Sequence, residues 1–232
     1  MTTITLLKSD ANFLATAIGR DPDRGNLMQV WTEQINGQNI YLIATEGYWA
    51  ALVKVDAPAG LACTAESLDA ARKGGKATVS LDLLPIDPES RPPCMSDLMP
   101  RRCEAITGKF DREALLAFCE PLATTPAQRR KYNDRQPVAV AFDASTGKVG
   151  VQVFSYGLCW SAAKMFEAVF STDSFKSPVG FDPSYLVPVL KALSNEQIAM
   201  YLPADGNSQT PTIVEAWDTD YRRLAIVMAV RL

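Results

Sequence analysis

One design occurs twice along this chain. Ile4-Thr5-Leu6-Leu7-Lys8-Ser9-Asp10 reads as a short strand leading into a helical pattern in which Phe13, Leu14 and Ile18 are apolar. Ile106-Thr107-Gly108-Lys109-Phe110-Asp111 does the same ahead of Leu115, Leu116, Phe118 and Cys119. In each copy an Asp stands at the junction, where a carboxylate can accept the free backbone N–H groups of the first helical turn. A second echo follows in each half. Thr64 is placed to cap a helix from about Ala65 to Lys73, ended by Gly74-Gly75, and Asp182-Pro183 starts another that runs to about Leu193 and ends near Asn195. Lys73 and Lys191 lie near the ends of these two helices, and strands are expected next, at Ala77–Leu83 and Gln197–Leu202. Self-similarity of this kind points to a duplicated domain, and 232 residues suffice for two.

Most of the remainder reads as strands. Asn39–Asp56 alternates around Ile40, Leu42, Ala44, Ala51, Val53 and Val55, with a turn at Glu46-Gly47. Val138–Phe142 and Lys148–Phe154 flank the hairpin signal Asp143-Ala144-Ser145-Thr146-Gly147. Gln197–Leu202 and Thr212–Trp217 flank another at Asp205-Gly206-Asn207-Ser208, and a last strand is expected over Arg222–Val230. Many short strands with two helices per half give an α+β class, two tandem domains each laying two helices on a curved antiparallel sheet. Pro188 should kink or shorten its helix. Between the halves, Pro85-Ile86-Asp87-Pro88-Glu89-Ser90-Arg91-Pro92-Pro93-Cys94 forms a stiff, extended connection. The domains are therefore read as 1–102, including the linker 85–102, and 103–232.

Composition narrows the chemistry. The chain has no histidine, which removes Ser-His-Asp and Cys-His activation and the commonest metal ligand. Cys63, Cys94, Cys103, Cys119 and Cys159 are odd in number and scattered, so they read as reduced, mostly buried thiols rather than a disulfide framework or zinc site. No cofactor, metal or catalytic residue is expected. Cys159 beside Trp160, and the carboxylates Asp218 and Asp220, are the nearest to catalytic candidates, but no base stands near Cys159 and Asp-rich turns are ordinarily turns. Apolar runs stay well short of the ~20 residues a membrane span needs. No signal peptide is read at the N-terminus, so the expected location is the cytoplasm. Net charge is -3, from 23 basic and 26 acidic residues, so any nucleic-acid surface requires the cations to be segregated on one face.

Three segments carry a family resemblance. Val179-Gly180-Phe181-Asp182-Pro183-Ser184-Tyr185-Leu186, continuing through Val189-Leu190-Lys191-Ala192-Leu193 and closing with Ile226-Val227-Met228-Ala229-Val230-Arg231-Leu232, resembles the last domain of the bacterial β sliding clamp, the β subunit of DNA polymerase III. Ile43-Ala44-Thr45-Glu46-Gly47-Tyr48-Trp49-Ala50 resembles a strand-turn-strand of the family's middle domain. Pro93-Cys94-Met95-Ser96-Asp97-Leu98-Met99-Pro100 resembles the linker after it. The chain thus looks like a two-domain, phage-type clamp matching the middle and last of the usual three domains.

The resemblance implies a ring of six clamp domains, closed here as a homotrimer, that encircles double-stranded DNA without sequence preference and tethers a polymerase and clamp loader. It implies helices on the inside of the ring. The DNA-facing candidates are Lys8, Arg20, Arg24, Arg72, Lys73, Arg129, Arg130, Lys131, Arg135 and Lys191. A peptide-binding pocket is carried over onto Thr45, Gly47, Tyr48, Trp49 and Ala50 of the turn, Pro93, Asp97 and Leu98 of the linker, and Ile226, Met228, Ala229, Val230 and Arg231 of the tail. Tyr48 and Trp49 depart from the family's His-Arg, Asp97 stands where an Arg is common, and Ala50 replaces Leu, giving a less basic rim. The alternative reading is a clamp-like decoy that binds replication peptides without encircling DNA.

Overall fold

The computed structural model describes residues 1–35, 37–74, 76–99, 105–123, 138–145, 148–155, 163–167, 179–203, 210–217 and 222–230. It is a mixed α+β chain that divides into two compact units, Met1–Met99 with Asp220–Ile226, and Pro100–Thr219 with Val227–Leu232.

The first unit contains β1 (Thr2–Leu7), α1 (Lys8–Ala17), β2 (Gln29–Ile35), β3 (Asn39–Thr45), β4 (Trp49–Val55), β5 (Leu61–Thr64), α2 (Ala65–Arg72) and β6 (Thr78–Pro85). Its strands are ordered β1-β6-β5-β2-β3-β4, all pairing antiparallel. Val30, Trp31, Leu42, Ile43, Ala51, Leu52 and Val53 are buried on the central strands, where near-continuous apolar runs suit burial on both faces. Helices α1 and α2 pack against each other, burying Phe13, Leu14 and Leu68. Thr64 caps α2 as expected, its hydroxyl accepting the Ser67 N–H at 3.2 Å.

Asp10 behaves differently from the cap read in the sequence. Helix α1 starts two residues earlier, at Lys8, and its N-cap Leu7 supplies no side-chain bond. Asp10 lies inside the first turn, fully buried. Its Oδ1 accepts Arg223 Nε at 2.6 Å, and its Oδ2 forms an ion pair with Arg222 Nη2 at 2.8 Å. Arg223 also donates to the Ser9 hydroxyl. Arg223 opens β14 (Arg223–Val227) and Arg222 immediately precedes it; the strand lies beside β4, where Lys54 N donates to Arg222 O at 2.8 Å. The final strand is therefore shorter than the Arg222–Val230 expected, because the chain leaves the ladder at Met228 and pairs again, among the described residues, through the bridge Gly180↔Val230.

The second unit contains β7 (Ala105–Asp111), α3 (Arg112–Cys119), β8 (Val138–Ser145), β9 (Lys148–Ser155), β10 (Ala163–Glu167), β11 (Val179–Phe181), α4 (Pro183–Ala192), β12 (Gln197–Pro203) and β13 (Thr212–Ala216). One group of strands runs β13-β12-β7 and the other β10-β9-β8-β11. Phe142 links them, meeting Phe110 edge-on at 5.6 Å and Phe181 at 5.4 Å, the geometry that aromatic quadrupoles favour. Asp111 and Asp182 act as the caps anticipated, accepting from Ala114 N at 2.7 Å and Ser184 N at 2.8 Å. Helix α4 continues through Pro188 instead of stopping there. Leu186, Val187, Val189 and Leu190 are buried on either side of it, and their burial opposes the roughly 3 kcal/mol cost of an interior proline. Strand β8 extends further into its loop than the sequence suggests, to Ser145, which pairs with the expected first residue of β9, Lys148.

Burial pushes the Cys63 and Cys119 thiols up to about 12, so both stay protonated and act as small apolar groups. Cys94 is exposed, while Cys103 and Cys159 lie outside the described residues. Among the described residues no helix is long and apolar enough to cross a membrane.

Removing Asp10 takes the buried carboxylate away from two partly exposed guanidinium groups, Arg222 and Arg223. Asp10→Ala is expected to cost about 3–5 kcal/mol in denaturant unfolding, whereas loss of an ordinary helix cap costs about 1 kcal/mol. A value near the smaller figure would contradict the burial-based account.

Candidate functional site

Two arrangements of side chains gather the candidate residues that can be placed. The first lies on α1 and α2. Arg20, in the segment leaving α1, donates from both terminal nitrogens to Asp69 of α2, at 2.7 and 3.2 Å. Arg72, one turn beyond Asp69 on α2, reaches the same carboxylate at 2.9 Å and donates through Nε to Asn12 of α1 at 2.9 Å. The hydrogen bond from Arg20 is the main cause that holds the Asp69 carboxyl below the usual aspartate range. Lys8 Nζ donates to the Gly74 carbonyl at 2.7 Å, and Lys73, beyond α2, is exposed.

In the second unit Lys191 of α4 pairs with Glu120 at 2.5 Å, both side chains about half exposed. Arg129, Arg130, Lys131 and Arg135 lie outside the described residues. Arg24 is displaced from the set. It sits on the short 3-10 helix Pro22–Leu27, where its Nη1 donates to the Glu46 carbonyl at 3.3 Å and its guanidinium lies 5.9 Å from the Tyr48 ring centre. It therefore braces the turn between β3 and β4 instead of joining the α1–α2 cations.

That turn belongs to the second arrangement. Thr45 organises it with one hydroxyl, which donates to the Trp49 carbonyl at 2.7 Å and accepts the Gly47 N–H at 3.0 Å. Gly47 adopts φ +102°, a region where a side chain is strained. The arrangement projects Tyr48 outward, 46% exposed, while Trp49 and Ala50 are each 2% exposed. Trp49 is thus a core tryptophan that supports the turn from beneath rather than a surface anchor.

The linker is held by a residue that the sequence reading passed over. Glu33 on β2 accepts Met95 N at 3.0 Å, Ser96 N at 2.7 Å, the Ser96 hydroxyl at 2.6 Å and its strand neighbour Trp31 Nε1 at 3.2 Å. Burial would push its carboxyl up, but the bonds from Ser96 and Met95 outweigh that and hold it below the usual glutamate range. Gln29 Nε2 donates to the Ser90 carbonyl at 2.6 Å. Ser90 is thereby fixed at the end of β2 nearest the turn, and Cys94–Ser96 farther along the strand. Between linker and β2 lies a cleft of about 500 Å³ lined by Thr32, Gly60, Ile86, Pro88, Arg91 and Pro93. Asp97 and Leu98 are exposed beyond it.

Of the tail candidates, Ile226 is buried in the first unit. Met228 and Val230 are half-buried and Ala229 buried in the second, where Val230 N donates to Gly180 O at 2.8 Å. Arg231, Asp218 and Asp220 lie outside the described residues.

No protein-family model and no curated protein matches the sequence. Solved structures do match over the whole chain. Its fold is that of the bacterial β sliding clamps. The chain is similar to the clamp of Caulobacter crescentus (17% identity, TM-score 0.70, 100% of this chain and 66% of that one). It also matches the DNA polymerase III β subunits of Bartonella birtlesii (16%, 0.73, 99% and 66%) and Pseudomonas aeruginosa (18%, 0.71, 100% and 66%). The chain spans about 66% of the length of these clamps.

The Glu33 contacts give a pH-dependent expectation. A carboxyl whose folded pKa is depressed stabilises above its unfolded pKa and loses that contribution as pH falls through the folded one. Glu33→Gln should cost about 1–2 kcal/mol at neutral pH. Thermal melts of the two proteins should converge as pH drops below the ordinary glutamate range. A gap that persists unchanged in acid would show that Glu33 acts through shape alone.

Proposed function

We propose that this protein is a DNA sliding clamp, a processivity factor that encircles duplex DNA as a homotrimer and tethers polymerase and clamp loader through a peptide pocket. The observation that carries this reading is the whole-chain match to bacterial clamps at TM-scores of 0.70 to 0.73. The mechanism needs no bond to be made or broken. A closed ring cannot leave circular DNA without opening, so whatever it holds stays at high local concentration. Two clamp domains per chain complete a six-domain ring with three chains, as cyclic symmetry permits.

In this reading α1 and α2, with α3 and α4, line the bore, and Lys8, Arg20, Arg72, Lys73 and Lys191 face phosphates, together with Arg129, Arg130, Lys131 and Arg135. The residues assigned to peptide binding in this reading are Thr45, Gly47, Tyr48, Trp49 and Ala50, then Pro93, Asp97 and Leu98, and in the tail Ile226, Met228, Ala229, Val230 and Arg231. An extended peptide places apolar anchors there, and Tyr48 offers the aromatic surface that such anchors favour.

A decoy that binds replication peptides without encircling DNA finds support in one observation: Arg20, Arg72 and Lys191 are already paired with carboxylates. Light scattering separates the two, with a species of three chains expected for the clamp and a stable monomer for the decoy. Replacing Arg129, Arg130 and Lys131 together by Ala should lower the salt slope of duplex binding by up to about 3 if each meets a phosphate. An unchanged slope would remove that cluster from the bore.

A further inference from the structure

The Arg20–Asp69–Arg72 group makes a statement about how tightly DNA is held. Two arginine side chains, one from the segment leaving α1 and one from α2, converge on one carboxylate, and Arg20 engages both of its oxygens. The i,i+3 pair between Asp69 and Arg72 alone is worth only a few tenths of a kcal/mol to the helix. The fork from Arg20, outside α2, adds nothing to the helix's own backbone bonding. Its effect is on charge: two cations and one anion leave a net of one positive charge where two guanidinium groups stand.

We propose that Asp69 is a built-in counter-anion of the DNA-facing surface, neutralising part of Arg20 and Arg72 so that the ring holds the duplex loosely enough to slide. This rests on the clamp reading. A protein cation that meets a phosphate releases a condensed counterion, and the affinity gained scales with the number of cations so used. A guanidinium already holding a carboxylate must give up that partner first, so its phosphate contact gains less. Glu120 stands in the same relation to Lys191 in the second unit, as a single exposed pair. Asp69 differs in serving two arginines at once and in being about two-thirds buried, with 32% side-chain exposure.

The test is a gain of binding. Full-length wild type, Asp69→Asn, Asp69→Ser and the double variant Arg20→Ala/Arg72→Ala are titrated against a short duplex by fluorescence anisotropy between 50 and 200 mM salt, with melting curves run alongside. Both Asp69 variants should bind about threefold to tenfold tighter at the low-salt end, and their salt slope should steepen by about 1. Two variants of different shape guard against a local distortion in either. If the arginine double variant weakens binding while neither Asp69 variant strengthens it, the counter-anion proposal fails and the clamp reading stands. If the double variant leaves binding unchanged, or if wild type binds no duplex at all, the placement of this face in the bore fails, and the proposal with it.

Discussion

The first unit depends on a charge pair made across almost the whole chain. Asp10 is fully buried and would destabilise the core if left alone. Its partners, Arg222 and Arg223, stand 212 and 213 positions later. Their strand supplies the hydrogen bond that continues the ladder beyond β4, and it also delivers the two guanidinium groups to α1. Strand pairing and charge compensation therefore arrive together. Since α1 packs on β3, β4 and α2, the placement of the Arg20–Asp69–Arg72 group follows from the same closure.

Much of this architecture was legible because it depends on local chemistry. Thr64, Asp111 and Asp182 each precede a helix and each cap it, a relation that spans only two or three residues. The Glu46-Gly47 turn was readable for the same reason, since a positive φ calls for glycine. Asp10 carried an identical local signal and did something else. Its environment is set by residues more than two hundred positions away, which no window of sequence contains. Strand β2 was also missed. Gln29–Ile35 mixes Val30, Trp31 and Ile35 with Thr32, Glu33 and Gln34, even though Gly25-Asn26 and Asn36-Gly37 frame it with turn residues. Its alternation is blurred because Thr32 faces inward to bond Pro58 and Leu61.

The candidate site shows the same division. The turn and linker residues could be named from resemblance, but the groups that hold them in place could not. Glu33 fixes the linker largely through backbone N–H groups, with Ser96 and Cys94 the linker side chains that also bond it, so the contacts leave little trace in sequence. Arg24 reads as one more surface cation until the fold sets it against the Glu46 carbonyl and Tyr48. Asp69 reads as an ordinary helix-surface acid until Arg20 arrives from outside its helix. In each case a residue's role is decided by what another element brings to it.

The long-range pair also bears on how the protein is made. Amino-terminal units usually fold while synthesis continues, and here that order is disturbed. A nascent chain carrying β1 to β6 holds Asp10 without its guanidinium partners and β4 without its outer neighbour. Both needs are met only when residues 222 and 223 have left the ribosome, by which time nearly all of the second unit has been synthesised. Contacts of such sequence separation fold slowly, and an unpaired strand edge invites mispairing in the interval. The unit encoded first is thus completed only after almost all of the second has been made.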